Sequence, residues 1–419
     1  MQPNKTIRPP LLILVCTFLL ILLCHLGVPN KGPERTPIPV AEARIHPFGS
    51  EGSIPRLLGA QVLVFTCEDY VQVEKAIGGL AKAGVNTLIV RAFQNQGDRI
   101  YRFANPKYRT GVYFQTTHAP VVDPVLARIV SLAHRHGLRV FAWMETRKTP
   151  LDIPDPATAK AVSYCFKTKT YTSASSWSIF NQSVEDKLVG LYQDVVKSGI
   201  DGILIQDDLI MYQNEDFSPK AISRFWEETG KQLDPVTLYG EAFQYPEGHW
   251  CVPTYSDTFW HWASWKNAQL LRLARKLICA AKNENPDISI AMNFMYESVT
   301  APRNALAWLS QSLAEAAKLP IDYFAIMAYH RQIRKELRLS EEAAYDKVAH
   351  MTTRLLKWID DPHKILMKVQ MTDWKTRKEI PPHEANQVFR KINQQGRVSL
   401  AFIPYSPTLP LNIIGHHYR

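Results

Sequence analysis

Metal-binding and redox spacings are missing from this 419-residue chain. Its six cysteines form no Cys-x-x-Cys pair: Cys16 and Cys24 fall in an apolar run, and Cys67, Cys165, Cys251 and Cys279 are scattered. Neither a zinc site nor a dense disulfide framework fits that pattern. No His-x-His or His-Glu-x-x-His spacing stands at the end of a candidate strand, so no metal site is expected. A Gly-rich phosphate turn is also missing after the first candidate strand, where Thr66-Cys67-Glu68-Asp69 stands instead. That argues against a dinucleotide, and no cofactor is expected. Lys and Arg number 49 against 39 Asp and Glu, giving +10, but no segment gathers that charge into a basic tail. Nucleic acid is therefore not an expected partner. With 46% hydrophobic and 21% charged residues, the chain is neither disordered nor fibrous.

The one long apolar run is Leu11–Gly27, LLILVCTFLLILLCHLG, preceded by Lys5 and Arg8. It is about as long as the minimum for crossing hydrocarbon, roughly 17 residues. A small-x-small cleavage site should follow directly, and the nearest candidate, Ala41-Glu42-Ala43, stands far downstream. Residues 1–28 are therefore read as an uncleaved signal anchor or transmembrane segment. Residues 29–56 contain Pro29, Pro33, Pro37, Pro39, Pro47 and Pro55 and are read as a linker. The expectation is a single-pass inner-membrane protein whose soluble domain faces the periplasm or exterior.

From residue 57 short apolar runs alternate with helical patterns. The strand candidates are 61–65, 87–91, 139–143, 202–206, 289–293, 323–327, 365–369 and 399–403. Helical stretches are expected at 70–83, 124–135, 184–197, 219–229, 258–282, 301–319, 340–358 and 382–395. Apolar strands without clear alternation suit a parallel sheet covered on both faces. Eight such steps predict an α/β fold, a (β/α)8 TIM-like barrel over 57–410 with a 411–419 tail. Between the fourth helix and fifth strand lies an aromatic-rich insertion with Trp250, Trp260, Trp262 and Trp265. Its rings either pack the long helix onto the barrel or form a platform for sugar faces.

In such a barrel chemistry sits at the C-terminal strand ends. Those ends carry Arg91, Trp143 and Glu145, Asp207 and Asp208, Asn293 and Tyr296, His330, Gln370, Asp373 and Trp374, and Tyr405. Carboxylates, amides and aromatic rings suit a carbohydrate better than a phosphate. The strongest local signal is Asp201-Gly-Ile-Leu-Ile-Gln-Asp207-Asp208, followed by Glu215-Asp216. Neighbouring carboxylates raise one another's pKa, and a raised carboxyl group can act as general acid near neutral pH. Glycosidases flank the scissile bond with two such groups.

The run Gly202-Ile-Leu-Ile-Gln-Asp-Asp-Leu with Glu215-Asp216 resembles the C-terminal glycoside hydrolase domain of the poly-β-1,6-N-acetylglucosamine N-deacetylase family. Phe141-Ala-Trp-Met144, Asn293, Ile326-Met-Ala328, Gln370-Met-Thr-Asp373-Trp374 and Pro404 follow that family's order, so the resemblance covers residues 58 to about 410. It implies a stand-alone barrel, without the deacetylase domain, that cuts or binds partly deacetylated poly-N-acetylglucosamine. On the glycosidase reading Asp208 is the proton donor or base, tuned by Asp207, and the resembling family keeps the same pair. Glu145, Glu215, Asp216 or Asp373 is then the second carboxylate. Arg91, Trp143, Asn293, Tyr296, His330, Gln370, Trp374 and Tyr405 would bind substrate.

The chain departs from that pattern at Gln213, where the family is acidic, and at Lys368-Val369-Gln370, which lacks the family's seventh-strand Glu. Besides a hydrolase acting on a different glycan, two functions stay open. One is a membrane-anchored endo-acting glycosidase on a β-linked amino-sugar polymer. The other is a non-catalytic polysaccharide-binding barrel that aids polymer export or biofilm formation.

Overall fold

The computed structural model describes residues 54–240, 242–244 and 250–405. The expected anchor, almost all of the linker and the 411–419 tail lie outside the described residues. Among the described residues no helix is long and apolar enough to cross a membrane.

Eight parallel strands close into a barrel: β1 Leu58–Val62, β2 Thr87–Arg91, β3 Arg139–Met144, β4 Gly202–Ile205, β5 Ser289–Phe294, β6 Tyr323–Ala328, β7 Ile365–Gln370 and β8 Ser399–Ile403. Each pairs with its predecessor and successor, and β8 returns to β1. The principal helices are α1 Tyr70–Lys82, α2 Leu126–Arg135, α3 Gln182–Val196, α4 Pro219–Thr229, α5 Asp257–Glu284, α6 Pro302–Leu309, α7 His330–Glu336, α8 Glu341–Trp358 and α9 Pro382–Asn393. Their starts follow local chemistry. Asp69 accepts from Gln72 N at 2.8 Å, Asn181 from Ser183 N at 3.0 Å, and Ser218 precedes Pro219. Such caps satisfy amides that have no partner inside the helix. α4 stops at Gly230, whose φ of +67° is open to glycine at little cost.

Seven strands lie within a residue of their expected bounds. β1 lies three residues earlier, because two neighbours set its register. Leu58 pairs with Leu400 and Gly59 with Thr87, and Leu57 N donates to Ser399 Oγ at 2.9 Å. The helix expected at 301–319 is broken. Ser310 takes φ +51° and donates its hydroxyl to Met211 O at 3.0 Å. The long loop expected after β3 contains an antiparallel hairpin, Lys160–Cys165 with Thr170–Trp177.

The register decides which side chains fill the barrel. Asn293 on β5 and Lys368 on β7 meet across β6 at 2.8 Å, so both point inward. Following partners around the closed sheet carries that parity through Gln61, Arg91, Trp143 and Gly202. A Cβ on Gly202 would lie 2.5 Å from the Phe141 ring, so this interior position excludes a side chain. A lower layer of Thr87, Arg139 and Tyr323 closes the N-terminal end, with Tyr323 donating to Pro55 O at 2.8 Å.

The aromatic insertion packs over the other end. Trp262 is fully buried 4.8 Å from Phe217, and Trp265 stacks on Phe180 at 5.2 Å. Their cluster reaches Met295, Met327, Tyr329 and Ile403 at the barrel's C-terminal rim. For these two rings the packing role holds, and they are no sugar platform. Trp260 is half-buried beneath the Arg303 guanidinium at 4.5 Å.

Candidate functional site

At the C-terminal mouth the inward parity brings amides, charges and rings together. Several of their polar atoms are buried with no partner in the described chain. These are both amide atoms of Gln61, Nε of Arg91, Nε1 of Trp143, Oε2 of Glu145, and Oε1 of Gln206 and Gln370. Buried polar atoms are nearly always paired, so a ring of unpaired ones marks a place that takes a polar ligand. The pattern fits a polyhydroxyl compound, which offers donors and acceptors on every edge.

The adjacent aspartates have different surroundings. Asp208 is 5% exposed and accepts from Thr146 N at 3.0 Å, Thr146 Oγ1 at 2.8 Å and Lys148 N at 2.8 Å. Both its oxygens are thereby engaged in holding the loop after β3. Asp207 is partly exposed and lies near the Lys368 ammonium. Burial raises the Asp207 carboxyl and Asp208 adds to this, while Lys368 opposes it. The Asp207 charge in turn adds to burial in raising the Tyr329 hydroxyl. The geometry therefore reverses the expected roles: Asp208 is the clamp, and Asp207 is the carboxylate presented to the mouth.

Around Asp207 stand several other expected residues. Lys368 donates to Asn293 Oδ1 at 2.8 Å. Burial pulls Lys368 down to about 8, with Asp207 opposing. Trp374 meets Tyr329 edge-on, centroids 5.5 Å apart. Gln370 donates to Thr372 O at 2.8 Å and keeps Oε1 free of partners. Arg91 pairs with Asp98 at 2.7 Å and lies over the Phe93 ring, with Trp143 beyond. Glu145 is 2% exposed and accepts from Asn95 Nδ2 at 3.1 Å. Burial, reinforced by the Asp208 charge, pushes Glu145 up to about 8. Tyr405 closes the β8 side, its amide donating to Gln61 O at 2.8 Å.

Four expected residues are turned to other work. Glu215 pairs with Arg147 at 3.1 Å beneath the hairpin. Asp216 accepts from Val162 N, Ser178 Oγ and Ser218 N at 2.9, 2.6 and 2.8 Å. Both carboxylates fasten the hairpin to the loop after β4. Asp373 accepts from Lys375 N and Thr376 N at 2.9 and 2.8 Å and from Arg331 at 3.2 Å. Burial alone would raise Asp373, but Thr376 and Arg331 outweigh it and lower its carboxyl. His330 turns outward to Glu384 on α9, at 2.8 Å, and to Tyr345 on α8. Tyr296 is buried beside Glu297 and Glu336. Glu215, Asp216, Asp373 and His330 are corrections to the expected site, while the Tyr296 hydroxyl is buried without a partner.

Sequence reasoning missed Gln61, Gln206, Thr146 and Lys148 as parts of the mouth. A usable signal existed for Lys368, a lone lysine in the otherwise apolar strand Ile365–Gln370. Gln213 does not face Asp207 as a substitute acid. Its side chain accepts from the Tyr255 hydroxyl, and its carbonyl from Tyr239 at 2.7 Å. Among the described residues no cluster of three or more His, Cys, Asp or Glu is placed to hold a metal ion. A depression of about 540 Å³ lies at the opposite, N-terminal end, where Asp201 is already bound by Val140 N and His134. It carries none of the chemistry of the mouth.

Residues 72–403 match the family described as hypothetical glycosyl hydrolase family 13 (GHL13). The chain belongs to that family. Two curated proteins similar to this GHL13 member are the poly-beta-1,6-N-acetyl-D-glucosamine N-deacetylases of Escherichia coli K12 and O157:H7. Each is 25% identical over 305 residues, covering 69% of this chain. The GHL13 chain spans only 41% of the length of those relatives. Among solved structures, the PgaB (BpsB) glycoside hydrolase domain from Bordetella bronchiseptica shares the fold with a TM-score of 0.67 at 20% identity. That match covers 87% of this chain and 96% of the other. The catalytic domain of a beta-amylase from Paenibacillus polymyxa aligns with a TM-score of 0.54 at 10% identity, covering 86% of this chain and 97% of the other. These two likenesses show a TIM-like barrel and no more.

Proposed function

We propose that this GHL13 chain is a glycosidase hydrolysing a β-linked amino-sugar polymer of poly-N-acetylglucosamine type. The observation that carries the reading is Asp207, a partly exposed carboxylate set among unpaired polar atoms at the barrel mouth. The name of the deacetylase relatives supplies the polymer class. As water adds to the anomeric carbon and the glycosidic bond breaks, Asp207 exchanges the proton with the leaving oxygen; burial raises its carboxyl above the ordinary value. Asp208 holds the 146–148 loop, Trp374 offers a ring to a sugar face, and Asn293, Gln206 and Gln61 meet hydroxyl groups. Incubation with partly deacetylated poly-N-acetylglucosamine, with chitosan as linkage control, should release shorter chains. An unchanged polymer size distribution would defeat the hydrolase reading.

One observation favours the non-catalytic alternative. Glu215, Asp216 and Asp373 are all engaged elsewhere, which leaves Glu145 as the expected second carboxylate at the mouth, and the charge of Lys368 acts on Asp207. A barrel that binds the polymer and leaves it intact would be the outcome of the same assay.

The apolar run 11–27 serves, in this reading, as an uncleaved anchor that holds the barrel at the outer face of the inner membrane. Full-length protein should need detergent for extraction. Release by high salt alone would rule the anchor out.

A further inference from the structure

The rim of the mouth is basic on its β2 side. Phe93–Gln94 pairs with Gly111–Val112, which closes residues 95–110 into a loop past the C-terminal end of β2. Its inner side is fixed. Tyr101 is buried 4.5 Å from Tyr113, Phe103 packs on Tyr70 at 4.9 Å, and Asn95 reaches Glu145 at 3.1 Å. Arg99, Arg102, Lys107, Tyr108 and Arg109 are left exposed, Tyr108 by 55%. Among the described residues none of these four cations pairs with a carboxylate. The Lys107–Arg109 end is held on the barrel through Arg109 O, which accepts from Gln94 Nε2 at 3.1 Å.

The surrounding charges leave a positive excess. Asp98, the acid within the loop, is paired with Arg91 at 2.7 Å. Around the loop stand Glu68 and Asp69 before α1, Asp123, which accepts from Asn105 N at 2.7 Å, and the buried Glu145. Arg128, over the Tyr70 ring at 4.3 Å, and Lys148 add to the cations. Asp207 and Asp208 keep their charges, but they end β4, and β3 stands between that strand and β2. The basic loop therefore sets the sign at the rim and not at the centre.

We propose that the 95–110 loop is a second sugar subsite, outside the Asp207 centre, that takes a sugar unit bearing an acidic group. The Tyr108 ring carries the sugar face, and Arg102, Lys107 and Arg109 hold the acid. A tyrosine ring joins a flat apolar face to a hydroxyl, which suits a sugar. A guanidinium fork meets a carboxylate through two parallel hydrogen bonds. The inference rests on the saccharide reading of the mouth and not on hydrolysis, and it adds a charged class of polymer to the neutral one.

The test measures, by calorimetry on the full chain in mild detergent, binding of a β-1,6-linked N-acetylglucosamine oligosaccharide and of its O-carboxymethylated counterpart. Both share linkage and acetamides, and only the second carries carboxylates. Wild type should bind the carboxymethylated form about tenfold more tightly, and the ratio should shrink as salt rises toward about 1 M. The combined variant Arg102→Gln, Lys107→Gln, Arg109→Gln should bring the ratio near one. Arg99 is kept, because its side chain braces the loop at Arg102 O. The combined variant Lys82→Gln, Arg275→Gln, Lys357→Gln removes the same charge from exposed positions on α1, α5 and α8 and should keep the wild-type ratio. Tyr108→Ala should weaken both oligosaccharides roughly fivefold. A wild-type ratio near one overturns the inference, as does an equal fall in the ratio for the two combined variants. Unchanged affinities in Tyr108→Ala make the loop a general anion surface and overturn the sugar assignment. Binding of neither oligosaccharide to wild type overturns the saccharide reading of the mouth itself, which separates the two failures.

Discussion

Asp208 turns its carboxylate back onto Thr146 and Lys148, while Asp207, one residue before it, is partly exposed and lies within the electrostatic reach of Lys368. Adjacent identical side chains thus have separable duties, and isosteric amides should separate them. Asp207→Asn should reduce polymer cleavage by about 10²–10⁴ with little change in melting temperature. Asp208→Asn places an amide donor against backbone donors. It should cost about 1–3 kcal/mol of stability, read from denaturant unfolding. If Asp208→Asn proves as stable as wild type and alone abolishes turnover, the assignment is reversed.

Glu145 should make stability fall with rising pH. Its folded pKa of about 8 lies above the reference value of 4.5. Between those values the folded chain holds a proton that the unfolded chain has released, so folding loses ground as pH rises. Glu145→Gln removes this group. The stability difference between variant and wild type should grow in the variant's favour from about pH 4.5 to 8 and be small below. A difference independent of pH would contradict the buried, protonated Glu145.

Glu384 should act in the opposite sense. Burial would raise its carboxyl, but the Arg331 fork at 2.7 and 2.6 Å and the His330 bond outweigh it and hold Glu384 down to about 2. Its stabilisation is present above the reference value of 4.5 and is lost as pH falls through 2. Glu384→Gln should cost roughly 2–3 kcal/mol at pH 7 and converge on wild type in strong acid. Chemical denaturation at pH 7 and pH 3 checks it.

Glu215→Gln and Asp216→Asn should loosen the 160–177 hairpin. Removing one partner of the buried Arg147–Glu215 pair costs about 3–5 kcal/mol when the other charge is left unpaired. Amide exchange should quicken first at Val162, whose N–H is held by Asp216. Hairpin exchange rates equal to those of wild type would show that neither carboxylate holds it.

The sequence by itself determined the barrel. Eight apolar runs between amphipathic segments leave few other ways to cover both faces of a parallel sheet, and strand bounds at 87–91 and 399–403 follow from local composition. It also located the Asp207-Asp208 pair at a strand end. What it could not decide was direction. Whether Asp207 or Asp208 faces the mouth depends on which backbone amides the 146–148 loop offers. Whether His330 or Lys368 points inward depends on register carried around a closed sheet by non-local pairing. Glu215, Asp216 and Asp373 read as free acids because their partners, Arg147, Val162 and Arg331, stand 68, 54 and 42 residues away in the chain. Only the folded chain brings those donors within hydrogen-bond range, and a carboxylate's chemistry is set by what lies within that range.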